Sequence, residues 1–399
     1  MEVYSSQKVH SLHVLGQESL RRRDAAAAAQ AFEQALKDAP DFLPVVFDLG
    51  RAYAALGRFR DAKALFERAV AWRGKESQTY FALGFALGKL GDWRAAAHAM
   101  LLVLQATPRH VGALGSLSEC AYRLACADEA ATLADPQPKA MPRAGKISVI
   151  VCSIDRGKLA RLRSNLENLL IREDWELIHI ADARSLSEGY NRGVRLSRGD
   201  LLVFCHDDIE IFSGDFALRL RTHLGTCDLV GVAGSTLATG PGWSWSGAPH
   251  IFASIAYPGS VDGTMMLATC GTSGPVVLGA QLIDGLFMAA RRDLLHELSF
   301  DELTFDGFHF YDLDFSYRAW LSGAKTAVCR DISICHQSRG NFNADYRRYA
   351  ERFRQKFPDA CSAPASPKPR FAEIIIEKSE LLQPTLEWLN FFFSTSPRA

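Results

Sequence analysis

The first third of the chain alternates apolar and polar residues with the spacing of amphipathic helices, and this pattern repeats. Starting at Val9, Leu43 and Ser77, small and large residues recur at matching positions with a 34-residue period. Such a period is typical of stacked helix pairs, in which each unit buries its apolar face against the next. The matching positions are Gly16, Gly50 and Gly84, then Ala28, Ala62 and Ala96, then Phe32, Phe66 and Met100.

The small residues of this pattern let two antiparallel helices approach closely, and the larger residue four positions after each alanine fills the remaining space. The pattern resembles the tetratricopeptide repeat, with three complete units and a degenerate fourth unit over 112–134. An Ala-rich helical bundle without repeats is the alternative. We therefore predict an all-α tetratricopeptide-repeat solenoid over residues 1–135.

The periodicity changes after residue 135. Residues 136–145 contain three prolines without apolar periodicity, which predicts a linker. Apolar, β-branched runs then alternate with helical stretches, which predicts strand–helix–strand units and an α/β domain over 146–360 with a C-terminal extension over 361–399. The stretches in order are "ISVIVCS", "GKLARLRSNLENLLI", "WELIHIADA", "SLSEGYNRGVRLSRG" and "DLLVFCHDDIEI".

Polar side chains follow the first three strands of this predicted sheet. They are the segment 153–155 after the first strand, Asp182 after the second, and Asp207 and Asp208 after the third. Ligands of open α/β sheets bind beyond the carboxyl ends of the strands, so these residues are expected to share one crevice. Two adjacent acids are costly to bury unless a divalent cation such as Mg²⁺ or Mn²⁺ neutralises them, and such cations bind substrate phosphates. A helix cap or a solvated turn is the alternative reading.

A second acidic cluster follows about a hundred residues later, in "FDELTFDGFHFYDLDFSYRAWLSGAK", and is followed by "TAVCRDISICHQS". Together with "ISVIVCS", "GYNRGVRLSRGDLLVFCHDD" and "LIDGLFMAARRDLL", it resembles the nucleotide-diphospho-sugar (GT-A) glycosyltransferases. The similarity is specifically to the family 2-like group with a streptomycin-biosynthesis-type glycosyltransferase domain. It implies an α/β GT-A fold with a Rossmann-like mixed sheet over roughly 146–358.

The resemblance implies a metal site at the end of the third strand. Asp208 corresponds to a metal ligand, and Asp207 beside it contacts the ribose or the metal shell. His206 occupies the first position of the usual Asp-x-Asp motif, so direct coordination by His206 and a hydrogen-bonding role next to the metal both remain open. His336 matches the late histidine that completes the metal or diphosphate site.

The resemblance also implies a donor site. Asp182 stands where the family places the acid that reads the nucleotide base, and Ser153 and Asp155 stand where the first loop wraps the nucleotide. Asn191 is expected to hold this loop by hydrogen bonds, and Asp284 to hydrogen-bond the donor sugar.

Asp312 corresponds to the catalytic base, the second acid of the family's Glu-Asp pair, and Tyr311 stands where the Glu would be. A helix N-terminal acid stabilised by the dipole is the alternative for Asp312. Asp314 points away from Asp312 on a helix and is expected to cap that helix or to pair with Arg318.

Two segments leave alternatives open. Trp243 and Trp245 lie in a Gly- and Ser-rich loop, where they either stack on a sugar, grip an acceptor peptide, or pack locally. The tail "FAEIIIEKSELLQPTLEWLNFFF" is too short to span a membrane, so it is expected to dock onto the body of the protein or onto a partner.

Composition excludes several classes of function. The chain has 399 residues with 45 Lys plus Arg and 45 Asp plus Glu, so no excess charge steers it to nucleic acid or acidic membrane. Nine Cys without a CxxC spacing favour a reduced compartment over disulfides or a zinc site. The first residues lack the features of a signal peptide, and no apolar stretch of about 20 residues exists. A cytoplasmic protein without a transmembrane segment is expected.

These patterns predict a metal-dependent, inverting glycosyltransferase that uses Mn²⁺ or Mg²⁺ and a nucleotide-diphospho-sugar, with a UDP-sugar favoured. The repeats are expected to recognise a protein or peptide acceptor, although self-association is open for them. The alternatives are a non-catalytic adaptor with a degenerate transferase domain, and a transferase that acts on a polysaccharide or small molecule. A nucleotidyltransferase is disfavoured because no Gly-rich loop with Lys or Arg follows the first strand.

Overall fold

A computed structural model of the chain describes residues 2–73, 76–128, 145–338, 343–362 and 370–395. Two compact units form, one within Met1–Leu124 and one within Ala125–Thr395. The predicted linker, apart from its last residue, lies outside the described residues, as does the end of the predicted fourth repeat. Within the described ranges, no helix has the length and apolar character needed to cross a membrane.

The first unit consists of α-helices that pack in pairs, as the 34-residue pattern predicts. In the three pairs within residues 2–106, the first helix contacts the second, and the second helix of the first two pairs contacts the first helix of the next pair. The helices are α1 (Glu2–Arg21), α2 (Ala25–Asp38), α3 (Leu43–Ala55), α4 (Phe59–Arg73), α5 (Ser77–Lys89), α6 (Trp93–Ala106) and α7 (Val111–Asp128).

Close contacts inside each pair explain why small residues recur. A Cβ atom added to the repeated glycine of the first helix would overlap the large side chain of the second helix. An added Cβ would lie 2.7 Å from the ring of Phe66 at Gly50 and 2.6 Å from the end of Met100 at Gly84, and it would come closer still to the ring of Phe32 at Gly16. The repeated alanines at 28, 62 and 96 are buried. Each repeat thus builds its core from the same small-to-large contact.

The turn inside each pair also repeats. Gly57 and Gly91 adopt φ values of 75° and 80°, the left-handed region in which glycine carries no steric penalty. Arg23 holds the equivalent position in the first pair with φ of 63°. Asp24 and Asp92 follow and cap the next helix through their side chains.

The second unit is a mixed α/β domain with two sheets. Its strands are β1 (Ile147–Cys152), β2 (Trp175–Ile180), β3 (Leu201–Cys205), β4 (Ile209–Ile211), β5 (Leu229–Gly231), β6 (Ala233–Ser235), β7 (Ile251–Pro258), β8 (Met265–Cys270), β9 (Val276–Leu278), β10 (Leu282–Ile283), β11 (Phe287–Arg291), β12 (Thr326–Cys329), β13 (Ile334–His336) and β14 (Ala372–Ile376). Its helices are α8 (Arg156–Leu169), α9 (Leu186–Leu196), α10 (Phe216–Leu224), α11 (Arg292–Glu297), α12 (Tyr311–Leu321), α13 (Ala344–Lys356) and α14 (Leu382–Thr395).

The main sheet has the order β2-β1-β3-β11-β5-β12-β9. Its first three strands are parallel, as the strand–helix–strand pattern predicts, whereas β11 runs antiparallel to both β3 and β5. The second sheet has the order β10-β6-β7-β13-β4, with β8 and β14 extending from β7. The chain therefore passes from the main sheet into the second sheet between β3 and β4.

The C-terminal segment 370–395 folds with the second unit. β14 pairs antiparallel with β8 along its whole length. In α14, the side chain of Gln383 accepts hydrogen bonds from Ser213 and Ser333, and Asn390 donates to the carbonyl of Arg330 at 3.2 Å. Docking onto the body, one of the two alternatives drawn from the sequence, is confirmed for this segment.

Candidate active site

Asp207 and Asp208, called the acid pair below, lie on the turn through which the chain passes from the main sheet to the second sheet. This turn comprises His206, Asp207 and Asp208. The amide of His206 donates to the carbonyl of Leu286 at 3.1 Å, and the carbonyl of Asp208 accepts from the amide of Gln337 at 2.9 Å. The backbone of the turn is thus fixed from both sides, which leaves the three side chains to form a site.

Two histidines and one aspartate converge at this turn. Nε2 of His336, at the end of β13, lies 3.2 Å from Oδ1 of Asp208 and 3.3 Å from Nδ1 of His206. One ligand atom from each of the three side chains falls within 4.8 Å of the others. Only 5% of the Asp208 side chain is exposed. The sequence separation of 130 residues between the two histidines is closed by the pairing of β13 with β4.

A hydrogen-bond chain fixes the tautomer of His206. The hydroxyl of Tyr311 lies 3.1 Å from the carbonyl of Gly285, to which it donates, and a hydroxyl that donates there accepts from Nε2 of His206, also 3.1 Å away. Nδ1 of His206 is then left with its lone pair directed at the cluster. Burial lowers the pKa of His206, and the neighbouring His336 lowers it further, which favours the neutral imidazole.

Charge is balanced around Asp208. Burial alone would raise its pKa, but hydrogen bonds from His336 and Ser338 outweigh burial and hold the pKa below the usual value. Nζ of Lys158 lies 3.3 Å from Oδ2 of Asp208 and 3.8 Å from Oδ1 of Asp207. Burial would lower the pKa of Lys158, but the two carboxylates raise it, so this side chain is an ammonium.

The loop after β1 meets the acid pair. The hydroxyl of Ser153 donates to Oδ2 of Asp207 at 2.6 Å and accepts from the amide of Asp155 at 3.2 Å. Oδ1 of Asp155 accepts from the amides of Gly157 and Lys158 and thereby caps α8. Asp155 therefore shapes the loop, and Ser153 orients the carboxylate of Asp207.

Two of the predicted donor residues lie in other contacts. Asp182 is 80% exposed and forms an ion pair with Arg192 of α9 at 2.8 Å. The amide of Asn191 is buried, donates to the carbonyl of Phe300 and to Glu302, and accepts from the amide of Phe300. Asn191 thus holds the loop before α12, whereas the sequence suggested that it holds the loop after β1.

Asp312 occupies the first turn of α12, beside a second acid. Its Oδ2 accepts a hydrogen bond from the amide of Gly285 at 2.7 Å. Burial, together with the charge of Asp284, raises the pKa of Asp312 to about 7. A carboxyl with a pKa near neutrality can accept a proton from a substrate and release it again, which is the property of a general base.

Asp284 is held in place by the tryptophan loop. The indole N–H of Trp243 donates to its Oδ2 at 2.7 Å, and the amide of Leu286 donates to its Oδ1 at 2.9 Å. The segment 284–286 therefore contacts Asp312 through one amide, Tyr311 through one carbonyl and His206 through another. This segment physically joins the histidine–aspartate cluster to Asp312.

The remaining acids and aromatics of this region have structural contacts. Asp314 is fully buried and pairs with Arg318 at 2.7 Å, which confirms one of the two alternatives for this residue, and also with Lys356. The Trp243 ring packs edge-on against Phe371 at 6.0 Å between ring centroids. Trp243 therefore packs locally, which is one of the three alternatives drawn from the sequence, and also makes a polar contact with Asp284.

The structure brings eight of the ten predicted site residues into one connected group and leaves Asp182 and Asn191 outside it. Three contacts were not anticipated from the sequence: Tyr311 with His206, Trp243 with Asp284, and Lys158 with the acid pair. Of these three contacts, only that of Lys158 could have been expected from the sequence, because Lys158 lies in the first helical turn after the predicted site residue Asp155. The connected residues are Ser153, Asp155, His206, Asp207, Asp208, Asp284, Asp312 and His336.

The cluster fits a divalent cation. Atoms that bind one ion at about 2.1 Å and at right angles lie about 3 Å apart, and the contacts of Nε2 of His336 with its two neighbours are 3.2 and 3.3 Å. A ligating histidine usually donates its other N–H to a fixed acceptor, and Tyr311 supplies that acceptor to His206. All nine cysteines lie in described residues and are free thiols, and none of them belongs to the group of three possible ligands.

Comparison with protein families gives the class that this arrangement suggests. A family model described as a glycosyltransferase-like family matches residues 148–357, which is more than half of the chain. A tetratricopeptide repeat model matches residues 19–83. The chain belongs to the glycosyltransferase-like family, and it carries tetratricopeptide repeats before the transferase domain.

Several solved structures of tetratricopeptide and related proteins are similar to part of the chain. MamA from Desulfovibrio magneticus RS-1 is 20% identical, with a TM-score of 0.29, over 31% of this chain and 70% of its own. The Sgt2 tetratricopeptide domain from Aspergillus fumigatus is 23% identical, with a TM-score of 0.29, over 33% of this chain and 89% of its own. Similarity at this level carries no information about function. A search of curated proteins gave no match.

Proposed function

We propose that the second unit is a metal-dependent, inverting glycosyltransferase that moves a sugar from a nucleotide-diphosphate donor, a UDP-sugar by preference, to an acceptor hydroxyl or amide. The observation that carries the proposal is the link between the histidine–aspartate cluster and Asp312 through the segment 284–286. Inverting transfer needs a base on one side of the anomeric carbon and charge neutralisation on the other. The segment 284–286 would hold a base, Asp312, and a bound cation within one site.

His206, Asp208 and His336 would hold the cation, and two imidazoles with one carboxylate favour Mn²⁺ over Mg²⁺, which prefers oxygen ligands. When bound, the cation neutralises charge on the departing diphosphate. Tyr311 orients His206, and Ser153 orients Asp207, which would contact the ribose or the ion. The two departures from the family pattern, His206 and Tyr311, thus form one hydrogen-bonded pair and are compatible with a working site.

Asp312 accepts the acceptor's proton while the acceptor atom forms its bond to the anomeric carbon. The bond from that carbon to the diphosphate oxygen breaks, and its electron pair leaves with the diphosphate. In this proposal Asp284, which is oriented by Trp243, hydrogen-bonds the donor sugar, and its charge helps to keep the pKa of Asp312 raised. Asp182 and Asn191 act at a distance from this step, at the nucleotide base and in the loop before α12.

A thermal-shift screen of UDP-, GDP- and dTDP-sugars with Mn²⁺ tests donor binding. A donor that binds only the folded protein raises the melting temperature, by an amount that grows with its concentration over Kd. We expect a shift for one nucleotide class that disappears when Mn²⁺ is removed with a chelator. A folded protein with no shift for any donor would favour the non-catalytic adaptor.

The repeats are proposed to bind the acceptor, a protein or peptide, because stacked helix pairs offer an extended surface that a small sugar would not need. A tethered recognition surface raises the effective concentration of the acceptor near the base. A chain truncated to 146–399 should keep donor hydrolysis and lose transfer to the protein acceptor. Transfer at the full-length rate would instead assign the repeats to self-association or another partner.

A further inference from the structure

Lys158 places a positive charge on the two carboxylates that the proposed cation site uses. Its Nζ lies 3.3 Å from Asp208 and 3.8 Å from Asp207, on the oxygen of Asp208 that does not face His336. The Lys158 side chain is 37% exposed, whereas that of Asp208 is 5% exposed. The ammonium thus belongs to the more solvent-exposed partner of this ion pair.

The backbone of Lys158 is held by a hydrogen bond, and its ammonium by ion pairs with the two carboxylates. Its amide donates to Oδ1 of Asp155 at 2.9 Å, which anchors the first turn of α8 against the loop after β1. Among the described residues, the ammonium contacts the carboxylates of Asp207 and Asp208. Four rotatable bonds separate it from the backbone, so it can exchange these carboxylates for a new anion without movement of the helix.

An ammonium and a divalent cation compete for the same carboxylates. Each positive charge lowers the affinity of the pair for the other, because like charges a few ångströms apart repel strongly at a partly buried site. A donor diphosphate changes this balance, since its phosphate oxygens offer Lys158 another anionic partner. The cation and the donor would then each bind better in the presence of the other.

We propose that Lys158 couples cation binding to donor binding by moving from the acid pair to the donor diphosphate. The inference rests on the proposed function, since it takes the cation and the diphosphate to share this site. In the donor-free protein Lys158 weakens cation binding, and in the complex it strengthens donor binding. By linkage, the factor by which the nucleotide raises cation affinity equals the factor by which the cation raises nucleotide affinity.

The test is a titration of the full-length protein with Mn²⁺, followed by the electron paramagnetic resonance signal of free Mn²⁺, without nucleotide and with saturating UDP. Lys158→Met removes the charge and keeps the length of the side chain. We expect it to bind Mn²⁺ at least about tenfold more tightly than the wild type without UDP. With UDP, its affinity for Mn²⁺ should rise by a much smaller factor than in the wild type.

Two further variants make the result specific. Lys158→Arg keeps the charge and should retain most of the coupling. Lys146→Met removes an ammonium that pairs with Asp174 at 2.8 Å, at the other end of β1, and should leave Mn²⁺ affinity unchanged.

Two outcomes would overturn the inference, and they differ in what else they remove. If Lys158→Met and the wild type bind Mn²⁺ equally well without UDP, Lys158 is a structural ion-pair partner and the proposed cation site stands. If neither protein binds Mn²⁺ with or without UDP, the cation site itself fails, and the proposed metal-dependent transfer fails with it.

Discussion

The two units of this protein differ in whether their key contacts are repeated along the sequence. In the repeat unit one contact, a glycine against a large side chain about sixteen residues later, recurs in each helix pair. In the second, glycosyltransferase-like unit no contact of the site is repeated, and the contact of His206 with His336 in the proposed metal site spans 130 residues. A repeated local contact gives a robust scaffold, whereas a convergent site depends on every member. Substitutions should therefore affect stability in the first unit and chemistry in the second.

The largest effect is expected from Asp208→Ala. This substitution removes the only carboxylate among the three residues proposed to hold the cation. Donor binding in Mn²⁺ should be abolished while the melting temperature of the apo protein changes little, because Asp208 would help to hold the ion that neutralises the diphosphate. Calorimetric titration with the donor found in the screen measures this. Asp174→Ala removes an acid paired with Lys146 outside the site and serves as the control. Undiminished donor affinity in Asp208→Ala would remove the residue from the metal site.

Asp312→Asn should lower turnover by about a hundredfold or more and leave donor affinity near that of the wild type, since only the proton acceptor is lost. The pH dependence gives a second readout. Because burial and Asp284 raise the pKa of Asp312 to about 7, the base is protonated below that pH. The wild-type rate should therefore rise with pH up to about 7 and level off above it, and the variant should lose this rise. Equal losses of affinity and turnover would indicate a structural role.

Tyr311→Phe should weaken Mn²⁺ binding by roughly tenfold, the scale on which a partner of a metal-binding histidine acts. Removing the hydroxyl leaves Nε2 of His206 without its acceptor, so the ring is free to take the other tautomer. Tyr349→Phe removes a hydroxyl bonded to Asp306 and should leave Mn²⁺ affinity unchanged. If both variants bind Mn²⁺ like the wild type, His206 does not depend on Tyr311.

The smallest effects are expected in the repeats, and they should concern stability alone. A Cβ added at Gly50 meets the Phe66 ring at 2.7 Å, and one added at Gly84 meets the end of Met100 at 2.6 Å. The rigid, buried ring cannot move away, whereas the end of methionine can, although the Cβ of Ala99 lies 3.1 Å from the atom added at Gly84. Gly50→Ala should therefore cost about 1–2 kcal/mol of unfolding free energy, and Gly84→Ala a smaller amount. Denaturant titration of both variants measures the difference. Equal losses of unfolding free energy in the two variants, or a loss of donor hydrolysis in either, would contradict the difference drawn between the two units.

The units also differ in how far sequence alone could predict them. The repeats were predictable because a period of 34 residues states the same packing rule three times. The first three strands were predictable for a related reason, since each alternation of strand and helix is local. The antiparallel placement of β11 between β3 and β5 was not, because no local pattern encodes which distant strand pairs with which.

In the site, the ends of strands predicted Ser153, Asp207 and Asp208 correctly as neighbours, because parallel strands end at one edge. The pairing of Tyr311 with His206 lay beyond such reasoning. Each residue could be recognised alone as a departure from a family pattern, and only the fold brings the two side chains to 3.1 Å. The hydrogen bond from Trp243 to Asp284 could not be predicted either, because it depends on the path of the loop before β7.

The most direct test of the central claim, that the second unit is a working metal-dependent transferase, is the release of nucleoside diphosphate from a panel of UDP-, GDP- and dTDP-sugars. The full-length protein, Asp208→Ala and Asp312→Asn would be compared at pH 8 with Mn²⁺ and with chelator. We predict release from one nucleotide class that needs Mn²⁺, is absent in Asp208→Ala and is about a hundredfold slower in Asp312→Asn. A folded wild-type protein that releases nothing from any donor, or releases it equally fast in all three proteins, would contradict the account.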